Sequence, residues 1–365
     1  MKILFIAPIP PPITGHSLVS DLLYNDLNKD NQVELVNLSK GGVSVGFGFI
    51  SRILEIFFIL KEIRSKKKNV DKIYFTISES FFGNFKDLFI YLICYSILSK
   101  MYIHLHGGSI KRLLWDKNKF IYFFNKFFIK KLGGLIISGS SHVKIFDTFV
   151  PNEKIHIIPN FALDYLHLDT SKIIEKFANT NPLNVLYISG MKKQKGYEEL
   201  LNAYLKLNSK DQQRVKIDFA GNFESDALKK IFIDRIETYD NLKYHGSVND
   251  IEKKNLFENA HVFCLPTMFF EGQPISILEA YAAGCIVVTT GQPGILDIFK
   301  PFLNGYEINT TSISDSIHLN LVQILSNPPE VNNKIANYNS DLAKSNYKLE
   351  TYTSSIRNVM SISGN

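Results

Sequence analysis

The sequence predicts an α/β protein built of two Rossmann-like domains facing one cleft. Three observations point there. Short β-rich runs alternate with helical stretches along the chain, as in parallel α/β units. The runs form two series separated by a polar connector. The 365 residues, 45% of them hydrophobic, supply two cores.

In the first series the strand candidates are residues 2–7, 32–37, 72–77, 101–105, 134–138 and 155–158. A connector rich in Asp, Thr, Ser and Asn covers 164–182. The second series offers 184–189, 216–220, 242–245, 261–265 and 286–290, and from 312 onward the chain reads as helices with no clear strand after Ile308. The expected domains are therefore 1–163 and 182–344.

Cys94, Cys264 and Cys285 lie in apolar runs without pairing or metal-ligand spacing, so they read as reduced core residues of a cytosolic protein. Residues 1–9 are apolar but interrupted by Pro8, too short for a signal-peptide core, and read as a first strand. The apolar run 88–99 is well short of the roughly 20 residues a bilayer requires, so no membrane-spanning helix is expected.

Net charge is +6. Its distribution is more telling: in 111–131 the cations Lys111, Arg112, Lys117, Lys119, Lys126, Lys130 and Lys131 face one acid, Asp116, and alternate with Trp, Tyr and Phe. A second stretch, 49–68, ends in three lysines. Basic residues interleaved with aromatics suit an anionic membrane surface; two core-packed helices with basic outer faces would read the same way. No recognition motif accompanies the charge, so no nucleic-acid partner is expected.

Ligands of open α/β sheets bind beyond the carboxyl ends of the strands, so the residues after each strand are the candidates. The richest are Phe270-Glu271-Gly272-Gln273-Pro274 and the apolar helix that follows. Pro274 suits a first helical position, Glu271 precedes it, and Glu279 lies about one and a half turns inside, its side chain leaning back toward the start. Between the two carboxylates, the unpaired N–H groups of Gly272, Gln273 and the first turn can hold a diphosphate. Carboxylates suit sugar hydroxyls, so the pattern reads as a nucleotide-sugar site.

Three further loops carry candidates. Lys192, Lys193 and Lys195 follow a strand and precede Gly196 and a helix, where they can neutralise a departing diphosphate. Pro10-Pro11-Pro12-Ile13-Thr14-Gly15-His16 opens a helix, with Gly15 allowing close backbone approach. His104 and His106 end a strand on one face, with no Cys or acidic companion that would make a zinc site.

Glu271 to Glu279, with Phe-Glu-Gly-Gln-Pro and Leu-Glu-Ala around them, resembles the E-x7-E signature of the retaining glycosyltransferases of family 4, group 1 enzymes of the GT-B fold. The resemblance implies that Glu271 contacts the donor sugar and Glu279 the nucleotide ribose. Lys195-Gly196 matches the end of the family's phosphate-binding segment, whose arginine is here replaced, with Met191 after Gly190. Lys195 is then the first phosphate ligand and Lys193 the second, with Lys192 as its alternative. Gly15 resembles the family's glycine loop, and His106 its histidine near the reacting centre, leaving His104 to packing. The turns at Ser138-Gly139-Ser140, Ile158-Pro159-Asn160, Gly221-Asn222, His245-Gly246 and Leu265-Pro266-Thr267 follow the family's order. The last helix, about 345–365, is expected to pack back on the first domain.

The resemblance further implies metal-independent, retaining transfer of a hexosyl or N-acetylhexosaminyl group from a nucleotide-sugar, with UDP-sugars ahead of GDP-sugars. There is no D-x-D motif. With the two basic aromatic stretches, it suggests a lipid-linked or oligosaccharide acceptor in bacterial surface polysaccharide assembly (O-antigen or capsule), at the inner face of the cytoplasmic membrane. The alternatives are a GT-B nucleotide-sugar epimerase and a non-catalytic membrane-associated assembly subunit.

Overall fold

The computed structural model describes residues 1–39 and 49–362. Residues 363–365 of the expected terminal helix lie outside them, as do the side chains of 49–52 in the basic stretch 49–68. The chain divides into two units. The first comprises Met1–Pro159, Glu271–Gln273 and Tyr352–Asn365, and the second Asn160–Phe270 and Pro274–Thr351. The first break thus falls at Pro159, where the sequence suggested 163.

In the first unit β1 (Lys2–Ala7), β2 (Gln32–Asn37), β3 (Lys72–Thr76), β4 (Met101–Leu105), β5 (Gly134–Ile137) and β6 (Ile155–Ile157) form a parallel sheet in the order β2-β1-β3-β4-β5-β6. Ile3 to Ala7 are fully buried, which is why this strand reads as an unbroken apolar run. The helices are α1 (Gly15–Leu27), α2 (Phe49–Lys66), α3 (Phe81–Ile93), α4 (Lys119–Ile129) and α5 (Val143–Phe146). Thr14 caps α1 by accepting from Ser17 N–H, while Ser17 Oγ takes the Thr14 N–H. Strand order reverses between β1 and β3, so a ligand crevice is expected at their carboxyl ends.

The second unit repeats the plan. Strands β7 (Leu183–Ile188), β8 (Val215–Ala220), β9 (Leu242–Tyr244), β10 (Val262–Leu265), β11 (Ile286–Thr290) and β12 (Gly305–Ile308) lie parallel in the order β12-β11-β10-β7-β8-β9. Its helices are α6 (Thr170–Ala178), α7 (Tyr197–Leu205), α8 (Ser209–Arg214), α9 (Asp226–Ile236), α10 (Asp250–Asn259), α11 (Ile275–Ala282), α12 (Pro293–Leu296), α13 (Ile313–Ser326) and α14 (Pro329–Asn346). Here the reversal lies between β7 and β10.

Three local expectations need correction. The short edge strand β12 is an addition, starting at Gly305, where φ of 144° and the close Val287 carbonyl exclude a side chain. The polar connector contains α6, because Ile173 and Phe177, four residues apart, bury one stripe of an otherwise polar segment. Pro274, with ψ of 118°, caps α11 rather than opening it.

The final helix, α15 (Leu349–Val359), brings Tyr352 and Ile356 into buried positions, and Met360 just after it is buried too. Arg357 fixes its far end to α1: Nε donates to Asp26 Oδ2 at 2.8 Å, and Nη1 and Nη2 donate to the two Asp30 carboxylate oxygens at 2.9 and 3.0 Å. Such a forked pair is the strong form of a charge-assisted hydrogen bond. Arg357→Ala is therefore expected to remove about 1–3 kcal/mol of stability, read as an earlier urea-unfolding midpoint with its slope unchanged.

Candidate active site

The switch point of the second unit is built from the loops after β7 and β10. Gly196, with φ of 82°, precedes α7, and a Cβ there would overlap the Pro266 carbonyl oxygen, so only glycine lets the loops approach. Met268 N–H donates to Gln194 O at 2.7 Å. Lys195 Nζ lies 5.1 Å from the centroid of the Phe269 ring, which favours the cation by its negative face. The other two lysines differ. Lys192 pairs with exposed Glu224 at 3.4 Å, and Lys193 is exposed. Met191, after Gly190, is buried and bridges to Phe223, so the position after the glycine faces the core.

Glu279 is buried in α11 and ion-paired with Lys253 of α10. Burial pushes its carboxyl above the usual range, and Lys253 opposes that rise. Asp250, at the start of α10, accepts a hydrogen bond from Tyr165 Oη at 3.0 Å. Local pattern offers no sign of Lys253, because its partner lies 26 residues away. The one available signal was general: a carboxylate in so apolar a helix needs a partner.

Glu271, Gly272 and Gln273 cluster with the first unit. A Cβ on Gly272 would overlap the His106 carbonyl oxygen, and one on Gly108 would come 3.0 Å from the Glu271 carbonyl oxygen. Gln273 Nε2 donates to Ser138 O at 3.3 Å. The structure thus brings Glu271, Gly272 and Gln273 to the segments after β4 and β5, together with His106. Lys195 and Glu279 belong to the second unit.

At the first unit's switch point a cavity of about 350 Å³ is lined by His16, Glu79, Lys86 and His106, among others. Gly15 is the exposed first residue of α1, and His16 follows it. The rings of His16 and His106 lie 4.3 Å apart and those of His106 and His104 3.9 Å, the shared face that strand alternation predicted. His104 Nδ1 bonds Tyr74 Oη at 2.7 Å, whereas the Nε2 atoms of all three imidazoles lack a hydrogen-bond partner. Burial lowers the His16 pKa to about 4 and that of His104 to about 3, and it holds His106 well below its ordinary value. All three are neutral at pH 7.

Two cavity residues were missed. Glu79 follows β3 and accepts from Ser109 N–H at 2.7 Å and Ile110 N–H at 2.9 Å. Gly107 is glycine because a Cβ would overlap the Glu79 carboxylate. Burial raises the Glu79 pKa and these N–H groups oppose it. Lys86 is buried beside Asp87 at 3.6 Å. Glu79 was within reach of the rule about residues after strands; Lys86, inside a helix, was not. A cavity of about 320 Å³ by Lys216, Asp218 and His245 takes in the His245-Gly246 turn but none of the catalytic or donor-binding candidates.

The profile of the family described as glycosyl transferases group 1 matches residues 169–341. An uncharacterized glycosyltransferase of Methanocaldococcus jannaschii is 29% identical over 133 residues, 36% of this chain and 33% of that protein. The match therefore spans about a third of that relative's length. Among solved structures, Anabaena HepE in complex with UDP and glucose superposes with a TM-score of 0.75 at 16% identity over 99% of both chains. A Rickettsia africae glycosyltransferase gives 0.70 at 17% identity over 98% of this chain and 97% of that one. WaaG, a glycosyltransferase involved in lipopolysaccharide biosynthesis, gives 0.69 at 13% identity over 100% of both. At these identities the likeness is one of fold, and the fold is GT-B.

Proposed function

We propose that this chain, whose residues 169–341 match the profile of the group 1 glycosyl transferases, is a member of that family and a family 4-type retaining enzyme that moves a sugar from a UDP-sugar to a lipid-linked or oligosaccharide acceptor. The observation that carries this reading is Lys195, held over Phe269 where the loops after β7 and β10 meet. That is where an α/β sheet binds its ligand.

In this reading Lys195, aided by Lys193, stabilises the charge that develops on the diphosphate as the bond from sugar C1 to phosphate oxygen breaks. Glu279, oriented by Lys253, receives the ribose hydroxyls. Glu271 holds the sugar, with His106 presenting a neutral imidazole to it. The acceptor hydroxyl enters by the cavity of Glu79 and Lys86 and attacks C1 from the face the diphosphate leaves. Its proton passes to the departing phosphate oxygen, so configuration is retained and no metal is required. HepE was solved with UDP-glucose, which favours uridine over guanosine donors here. The transferred group is hexosyl or N-acetylhexosaminyl, and the product belongs to a surface polysaccharide, O-antigen or capsule, made at the inner face of the cytoplasmic membrane.

A thermal-shift panel of UDP-, GDP- and other nucleotide sugars tests the donor, because a ligand bound by the native state alone raises the melting temperature. Glu271→Ala is expected to lower sugar transfer about 10²–10³-fold; near-normal turnover would remove Glu271 from its role. Interconversion of free sugar nucleotides without acceptor would replace transfer by epimerisation. Absence of any sugar-nucleotide binding would leave a non-catalytic assembly subunit.

A further inference from the structure

Helix α3 buries its two charges together with Leu88, Ile90 and Tyr91 and leaves most of its other apolar residues outside. An amphipathic helix on a soluble domain normally turns its charges to water, yet in α3 Lys86 and Asp87 are buried while Phe81, Phe82, Phe85, Phe89 and Leu92 are exposed. These five lie on one face at helical spacing. The neighbouring helices continue the surface: α4 exposes Phe120, Phe123 and Phe127, and α2 exposes Leu54, Phe57 and Phe58. Phe120 and Phe123 are each 63% accessible. Isolated exposed apolar residues need no explanation, but a contiguous field across three helices does.

The field is held in place from beneath. Asn125 Nδ2 of α4 donates to Asn84 Oδ1 of α3 at 2.7 Å, a buried amide pair that fixes the two helices side by side with their phenylalanines outward. Cations rim it. Lys119, Lys130 and Lys131 of the α4 region are exposed, and Lys131 Nζ lies 5.1 Å from the Phe127 ring centroid and 5.5 Å from that of Tyr95. Residues 117–131 contain no acid, and the acid of α3 is buried.

We propose that α2, α3 and α4 form a docking surface for an anionic lipid bilayer, with the phenylalanines entering the interface and the lysines meeting lipid phosphates. Aromatic rings with flexible cations above them match the headgroup boundary, where the ring is apolar and the ammonium stays wet. A second copy of this chain fits poorly, since a two-fold contact would set the same lysines against each other. The surface is independent of the sugar chemistry proposed above.

The test is flotation of the full chain with phosphatidylcholine vesicles, with and without phosphatidylglycerol. The wild-type chain should bind only the anionic vesicles at low ionic strength, and lose them near 1 M salt, where the screening length is about 3 Å. The Phe120→Ser/Phe123→Ser pair, and separately Phe85→Ser/Phe89→Ser, should weaken binding about tenfold or more, with melting temperature and UDP-sugar thermal shift unchanged. Phe302→Ser, an exposed aromatic of the second unit, should bind as wild type. No flotation at low salt, binding as strong as wild type by both double variants, or dimers that the double variants dissociate without loss of flotation would overturn the proposal. An inert nucleotide-sugar panel beside intact flotation would remove the transferase reading alone.

Discussion

Lys253→Ala is expected to destabilise the protein by about 3–5 kcal/mol, the cost of leaving a buried charge without its partner. Glu279 is buried in α11 and Lys253 is its ion-pair partner. The effect carries a pH signature. The Glu279 carboxyl is already raised above its ordinary 4.5 by burial, so between 4.5 and its native value the folded state holds more protons than the unfolded one. Stability therefore falls as pH rises through that window. Removing Lys253 takes away the influence that lowers the native value and widens the window upward. The urea midpoint of the variant should thus fall further behind wild type at pH 8 than at pH 5. A loss that is small and equal at both would mean that the pair contributes nothing, and Glu279→Gln in the Lys253→Ala background should recover part of the stability.

Lys195→Ala is expected to lower kcat/KM for sugar transfer about 10²–10³-fold, equivalent to about 2.7–4 kcal/mol of transition-state stabilisation. The loss should fall mainly on kcat, because the negative charge on the diphosphate grows only as the glycosidic bond breaks. Lys192→Ala is the matching control. Its ammonium is engaged with Glu224 at the surface, and turnover should stay within about twofold of wild type. Equal losses in the two variants would show that general positive charge, rather than the ammonium held over Phe269, does the work.

Much of the fold could be read from local pattern. The central strands are continuous apolar runs because parallel strands are buried on both faces. What escaped was short or depended on partners distant in sequence. The edge strand β12 mixes Gly305 and Glu307 with Tyr306 and Ile308 and so shows no apolar run, and α6 hides its buried pair, Ile173 and Phe177, among polar neighbours. In the candidate site, Glu271 and Lys195 stood out because glycines and a helix start flank them. Lys253 acquires meaning only through the tertiary position of Glu279. The outward phenylalanines of α3 were hidden for another reason: composition records an apolar run, but not which way it faces.

Tyr352, Ile356 and Met360 complete the interior of a unit whose other residues lie almost wholly before Pro159. During synthesis the sheet of the first unit must therefore wait, lacking one wall, until residues 352–360 have left the ribosome, while the intervening unit has most of what it needs to fold earlier. A stop codon just after Thr351 would injure the unit that begins the chain and spare the unit that precedes the stop. Limited proteolysis of such a truncated chain should accordingly cut first within residues 1–159.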